Sequence, residues 1–124
     1  MCGDLNEMKI LVILGHPDPD SLNHAIALEV CNTLRKNGHS VMFHDLYAEN
    51  FDPFLPKEEV PENGFVPSTI QNYCTELQSA DGIVIIHPNW WGQPPAILMI
   101  VKNQPSAIRW NQYGNVAYLI CAVF

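Results

Sequence analysis

Apolar residues recur along this chain in two rhythms. Lys9 to Gly15 is a short apolar run, rich in β-branched residues and closed by glycine, which predicts a strand buried on both faces. From Ser21 the rhythm lengthens. Leu22, Ile26, Val30 and Leu34 recur every four residues, Arg35 and Lys36 fall in the last turn and Gly38 marks the stop, so a helix with one apolar face is expected. Ser40 to Leu46 reads as a second strand, and Tyr47 to Pro67, rich in proline, acids and turn residues, as an irregular surface connection. A second helix is expected from Ser68 to Ser79, with Ile70, Tyr73, Cys74 and Leu77 on one face. The Asp81-Gly82 turn then leads into a third strand, Ile83 to His87. Pro94 and Pro95 suit the first turn of a third helix, where backbone donors are unpaired anyway. Strand, helix, strand, helix, strand predicts an α/β fold, a parallel sheet with helices on both faces. No internal repeat or low-complexity tract interrupts it.

Length and charge narrow the function classes. The 124 residues suit a single domain, 1–124, and 13 Asp and Glu against 6 Lys and Arg give a net charge of −7 with no locally basic stretch. A duplex nucleic-acid partner is excluded on that ground, because phosphate backbones are bound by clustered Lys and Arg. The longest apolar runs fall far short of the roughly 18 residues of a membrane span, so an integral membrane protein is not expected. Met1 to Met8 carries Asp4 and Glu7 and lacks the basic and apolar regions of a secretory signal, which points to the cytoplasm. Cys2, Cys31, Cys74 and Cys121 show no C-x-x-C spacing and read as reduced, mostly buried thiols. The charge is unevenly spread. Residues 1–96 hold all 13 acids and 4 bases, net −9, whereas residues 97–124 hold only Lys102 and Arg109, net +2. The apolar run Val116 to Phe124 ends the sequence with no covering helix after it, so an incomplete domain is expected.

In open α/β sheets ligands bind beyond the carboxyl ends of the strands, here His16 to Asn23 and His87 to Gln93. The first segment sets imidazole, hydroxyl and amide groups where a helix N-terminus presents free N–H groups, an arrangement suited to phosphate. Helix capping by Asp20 or Ser21 accounts for the same residues and is compatible with it. A nicotinamide-binding Rossmann turn is excluded: it needs G-x-G-x-x-G, whereas this turn has Gly15 alone and two prolines without N–H donors. Asp45, which imitates the ribose-binding acid of that motif, reads as a turn or capping residue. The second segment places Trp90 and Trp91 in a proline-bounded loop with Gly92. Its aromatic faces suit a planar ring such as isoalloxazine, or else simply cover the sheet edge. His16, His24, His39, His44 and His87 show no metal-ligand spacing, although His16 and His87 both lie at strand ends and are candidates to converge. No G-x-S-x-G elbow supports hydrolase chemistry.

At these two loops the sequence resembles the flavodoxin-like NAD(P)H:quinone oxidoreductase family, also called NAD(P)H dehydrogenase (quinone). The resemblance rests on KILVILGHPDPDSLNHAIA (Lys9 to Ala27), GHSVMFHDLYAENFDPFL (Gly38 to Leu55) and ADGIVIIHPNWWGQPPAIL (Ala80 to Leu98), which together span residues 9–98 in the family's order. It implies a flavodoxin-like fold and a flavin enzyme that takes hydride from NADH or NADPH and passes two electrons to a quinone, commonly as a homodimer with the site at the subunit interface. By position, His16, Ser21, Leu22 and Asn23 match the residues around the flavin phosphate, with Leu22 where the family often has Phe. Pro88, Asn89, Trp90 and Trp91 match the loop along the ring system. FAD is the cofactor the family implies, with FMN the alternative, because the loops recognise phosphate and ring without specifying the adenosine end.

Past Leu98 the resemblance stops. The family continues with a basic and aromatic helix, a fourth strand, a loop touching the flavin and a fifth strand, and residues 99–124 resemble none of these. A frame change or truncation near codon 99 is the expectation, and since family roles in hydride positioning lie partly beyond it, no catalytic residue is carried over. Three functional readings stand at this point. One is a quinone reductase or a shortened descendant. The others are a flavin-binding electron carrier or regulatory partner subunit without its own turnover, and a degenerate product that binds nothing.

Overall fold

The computed structural model describes residues 7–52, 68–90, 93, 95–98 and 116–122, the last stretch by its backbone. Its elements run β1 (Lys9–Leu14), α1 (Leu22–Lys36), β2 (Ser40–Asp45), α2 (Ser68–Ser79), β3 (Gly82–Pro88) and β4 (Val116–Ala122). The four strands form one sheet in the order β2-β1-β3-β4, and every pairing is parallel. β1 pairs with β2 from Lys9 opposite Ser40 to Leu14 opposite Asp45, and with β3 from Ile10 opposite Gly82 to Leu14 opposite Ile86.

Its position between two neighbours explains why β1 is apolar without alternation. Ile10, Val12 and Leu14 pack on one side with Ala27 and Cys31 of α1 and with Ile86, while Leu11 and Ile13 pack on the other with Leu46, Leu77 of α2, Ala80, Ile83, Ile97 and Leu98. A parallel sheet covered on both faces needs apolar side chains in both directions, and β1 supplies them. β2, at the edge, is only half-buried along most of its length.

α1 ends as its sequence dictates, with Arg35 and Lys36 in the last turn and Gly38 at φ 84°, a left-handed conformation that favours glycine. Its buried row is Asn23, Ala27 and Cys31, flanked by half-buried Ile26, Val30 and Leu34. Leu22, expected on the apolar face, is instead 58% exposed. At the first helical position no strand or loop of the described structure covers it, and the row that meets the sheet begins one residue later.

The apolar run after residue 115 forms a strand. Val116–Ala122 lies beside β3, from Val116 opposite Gly82 to Ala122 opposite Pro88, so residues expected to lie outside the family-like portion contribute to the sheet. Residues 96–98 form a helical turn, with the Leu98 N–H donating to the Pro95 carbonyl at 3.0 Å, where the third helix is expected to begin. Among the described residues no helix is long and apolar enough to cross a membrane.

Candidate functional site

The carboxyl ends of β1 and β3 carry the two loops that the sequence singles out, and the fold brings them together. Gly15 extends the ladder by donating its N–H to the Ile86 carbonyl at 2.9 Å, which holds the start of the first loop against the end of β3. A Cβ at Gly15 would lie 2.8 Å from both Cγ and Cδ1 of Leu98. Only glycine lets the fully buried Leu98 close beneath the first loop, so the turn following the second loop is seated directly on β1's exit.

The first loop is shaped by its own side chains. The Asp18 N–H donates to His16 Nδ1 at 3.0 Å, so this nitrogen is the acceptor and Nε2 carries the proton in the neutral ring. Asp20 N–H donates to Asp18 Oδ1 at 2.9 Å, and Ser21 N–H to the Asp18 carbonyl at 3.2 Å. Ser21, one of the two capping residues the sequence offers, is the N-cap: its Oγ accepts from the His24 N–H at 3.3 Å. The first intrahelical bond runs from Ala25 N–H to the Ser21 carbonyl, so the N–H groups of Leu22 and Asn23 precede the helical ladder.

Asn23 is the unusual residue here. It is 0% exposed, and neither its Nδ2 nor its Oδ1 has a hydrogen-bond partner. A buried amide without partners costs about 1–3 kcal/mol, and native proteins rarely retain one without a ligand, ion or water to satisfy it. The next residue is anchored elsewhere: His24 Nε2 lies 2.7 Å from Asp45 Oδ2, and Asp45 Oδ1 accepts from the Ala48 N–H at 3.2 Å. Asp45 is therefore a turn residue, as its sequence position suggests, and it additionally ties the end of β2 to α1.

The second loop begins in the core. Pro88 is fully buried, and His87, 3% exposed, places Nδ1 2.7 Å from the Pro88 carbonyl while its Nε2 is unpartnered. The chain then emerges. Asn89 is exposed, Trp90 is 40% exposed, and Trp90 and Gln93 exchange backbone hydrogen bonds at 3.0 and 2.9 Å, closing a tight turn. Trp90 meets His16 edge-on, ring centroids 6.2 Å apart, so the histidine contact across the loops is with this indole and not with His87. Trp91 and Gly92 lie outside the described residues.

Beside this junction an open cleft of about 660 Å³ is lined by Tyr47, Phe51, Trp90, Ala96 and Ile97, with Asn50 and Asp52 at its polar side. Sequence reasoning missed Tyr47 and Phe51 because they follow β2 in a stretch that reads as surface connection. The Phe51 N–H donates to the Leu46 carbonyl at 2.9 Å and Asn50 adopts φ 52°, so a turn folds Phe51 back against the sheet. His44 and Glu76, which meet across β2 and α2, were likewise unmarked by any motif.

A flavin fits this end of the sheet. An anionic phosphate finds the unladdered N–H groups of α1's first turn and the orphaned Asn23 amide, and a planar ring finds the half-exposed Trp90 indole. The described residues hold no group of three or more His, Cys, Asp or Glu able to bind a metal.

Comparison with known proteins agrees with the fold. The profile of a family described as having a flavodoxin-like fold matches residues 8–99. An uncharacterized NAD(P)H oxidoreductase of Haemophilus influenzae is 39% identical over 94 residues, covering 73% of this chain and 46% of that protein. NAD(P)H dehydrogenase [quinone] 1 of Rattus norvegicus is 26% identical over 109 residues, covering 73% of this chain and 40% of its own length. Among solved structures, an NAD(P)H:quinone oxidoreductase from Methanothermobacter marburgensis superposes with a TM-score of 0.80 at 21% identity, covering 95% of this chain and 65% of that one, a likeness of fold. The chain thus spans less than half the length of these two curated relatives. With a four-stranded parallel sheet in the order β2-β1-β3-β4, helices on both faces and the family's profile across residues 8–99, the chain belongs to the family described as having a flavodoxin-like fold.

Proposed function

We propose that this chain holds a flavin at the carboxyl ends of β1 and β3 and serves NAD(P)H-dependent reduction of a quinone. The observation that carries the reading is Asn23: a fully buried amide with both polar atoms unpartnered, in the first turn of the helix that follows β1. Ser21 and the Leu22 and Asn23 N–H groups, with the Asn23 Nδ2, hold the phosphate, and the partial positive charge of α1's N-terminus favours its anionic form. His16, its Nδ1 already engaged by Asp18, has Nε2–H left to donate to the same anion. Pro88 fixes the departure of the second loop, Asn89 stands exposed beside it, and Trp90 lies along the ring and excludes water from it, with Trp91, next in sequence, the further candidate for that role. Bound there, flavin supplies a two-electron carrier between a nicotinamide and a quinone. The names of the Haemophilus and rat relatives support NAD(P)H as donor, and the rat relative's name supports a quinone as acceptor. FAD is the expected flavin, with FMN the alternative, in a cytoplasmic homodimer.

The test is titration of the purified chain with FAD and with FMN, followed by flavin absorbance and fluorescence quenching. Saturable uptake supports the reading, and NAD(P)H oxidation with a quinone acceptor then distinguishes an enzyme from an electron carrier or partner subunit. A folded chain that takes up neither flavin overturns the proposal.

A further inference from the structure

On the face of the sheet opposite α1, three elements meet at one imidazole. His44, near the end of β2, places Nδ1 2.9 Å from Glu49 Oε1 and 3.1 Å from Glu49 Oε2, in the turn that follows the strand. Its other nitrogen, Nε2, bonds Glu76 Oε2 on α2. Tyr73, also on α2, donates its hydroxyl to Glu49 Oε2 at 2.6 Å and packs edge-on against both His44, at 4.8 Å between centroids, and Phe51, at 5.4 Å. Asp45, the next acid along β2, points to the other face and pairs with His24. Among the described residues, Glu49, Glu76 and Tyr73 are the titratable groups in contact with His44, and the Cys74 thiol of α2 lines the same small cavity as the imidazole.

With Glu49 and Glu76 both ionised, the stereochemistry allows one protonation state of His44. A carboxylate only accepts hydrogen bonds, and a neutral imidazole has a single N–H. Carboxylates on both ring nitrogens therefore require the imidazolium. When that proton leaves, one nitrogen faces a carboxylate with no hydrogen between them, and the network opens on one side. Glu49 is five residues from His44 and held near it by the chain, whereas Glu76 is thirty-two residues away on a separate helix. The apolar attachment of that helix is thin: its only buried residue is Leu77.

We propose that His44 is a proton-operated latch, which as imidazolium fastens α2 to the end of β2 and on losing its proton frees α2, with Tyr73 and the Phe51 wall of the adjoining cleft, to move. Phe51 connects the two regions, since it touches Tyr73 and also lines the open cleft beside Trp90. Burial opposes the charged imidazole, but the hydrogen bonds and charges of Glu76 and Glu49 outweigh it and hold the His44 pKa above its ordinary 6.5. The sign follows. A pKa higher in the folded protein means that the stabilisation is fully present below the ordinary midpoint and is lost as pH rises through the folded one. The latch concerns the fold and does not rest on flavin binding.

The experiment uses the full chain without flavin. Histidine NMR titration reads the His44 midpoint, and hydrogen exchange, corrected for intrinsic rates, reads protection of α2 amides between about pH 6 and about pH 9, with β1 amides as reference. The His44 midpoint is expected above 6.5, with α2 protection falling about tenfold for each unit of that excess while β1 protection falls less. His44→Gln, which cannot bridge two carboxylates by charge, should show low and pH-independent α2 protection. If that variant fails to fold, Glu76→Gln keeps the shape, and is expected to lower the His44 midpoint and flatten the pH profile. A His44 midpoint at or below 6.5, or α2 protection that ignores pH while His44 titrates, overturns the proposal.

Discussion

Replacing Asn23 with leucine separates stability from binding. The wild-type amide is fully buried in the first turn of α1 with two unpartnered polar atoms. Each such atom costs about 1–3 kcal/mol relative to water, and an apolar side chain of similar reach removes both penalties while adding buried hydrocarbon. Leucine is somewhat bulkier than asparagine, and the strain of fitting it offsets part of that gain. A net stabilisation of about 1–2 kcal/mol remains for the flavin-free protein, which for a domain of this length raises Tm by roughly 3–10 °C. Flavin affinity should move the opposite way. A hydrogen bond to a charged phosphate contributes about 1.5–3 kcal/mol, so losing the Asn23 donor weakens uptake about ten- to hundredfold. Urea denaturation of the flavin-free protein and fluorescence titration with FAD read the two quantities separately. Asn23→Ala, which introduces no extra bulk, should weaken binding to the same extent. A leucine variant that is less stable than wild type, or that binds flavin with unchanged affinity, would refute the reasoning, because the amide would then be satisfied within the protein.

Other consequences are equally open to measurement. Gly15→Ala drives a methyl group into Leu98 and should destabilise the fold by about 1–3 kcal/mol, whereas Leu98→Ala alone should cost about 3–5 kcal/mol through the cavity it leaves. In the double variant the two costs should sum to less than their separate values, and strict additivity in chemical denaturation would show that the residues do not touch. Ser21→Ala removes the cap of α1 and should lower stability by about 1 kcal/mol, visible in urea melts followed by circular dichroism; no change would mean that the Ser21 hydroxyl is not the effective cap. Burial pushes the Cys31 thiol above its ordinary pKa, with Arg35 opposing only in part. Native protein treated with a maleimide near neutral pH should therefore label Cys31 far more slowly than unfolded protein, and equal rates in peptide mass mapping would contradict that placement.

Much of this architecture was legible because the local and global signals agree. The turn from apolar run to four-residue rhythm at Ser21 reflects a real strand and a real helix, and α2 spans Ser68–Ser79 as its periodicity predicts. What periodicity misread was Leu22. An apolar residue at the first helical position continues the rhythm in sequence yet has nothing to pack against, while the buried position beside it is a polar asparagine. The two loops were identifiable from their chemistry, and the contact of His16 with Trp90 was not, because it depends on how β1 and β3 end in register. The His44 network was invisible for a similar reason. Its members lie five and thirty-two residues from the histidine, and no spacing rule links a strand to a helix across a proline-rich connection. The strand Val116–Ala122 takes its place beside β3, so the apolar run that the sequence resemblance left unexplained is part of the sheet.

The strand order carries a consequence for how the chain is made. β1 precedes the other described strands in the chain and sits in the interior of the sheet, and its second neighbour begins at Gly82. At ribosomal speeds of about 5–20 residues per second, β1 waits roughly 4–15 s for that neighbour to be translated. Throughout that interval KILVIL is a short, β-prone apolar segment with an unpaired edge, the kind that pairs readily with another nascent copy of itself. Yield in the cell should therefore depend on chaperones that shelter the nascent chain, and slowing translation after β1 should lower the fraction recovered in solution even though the finished fold is unchanged.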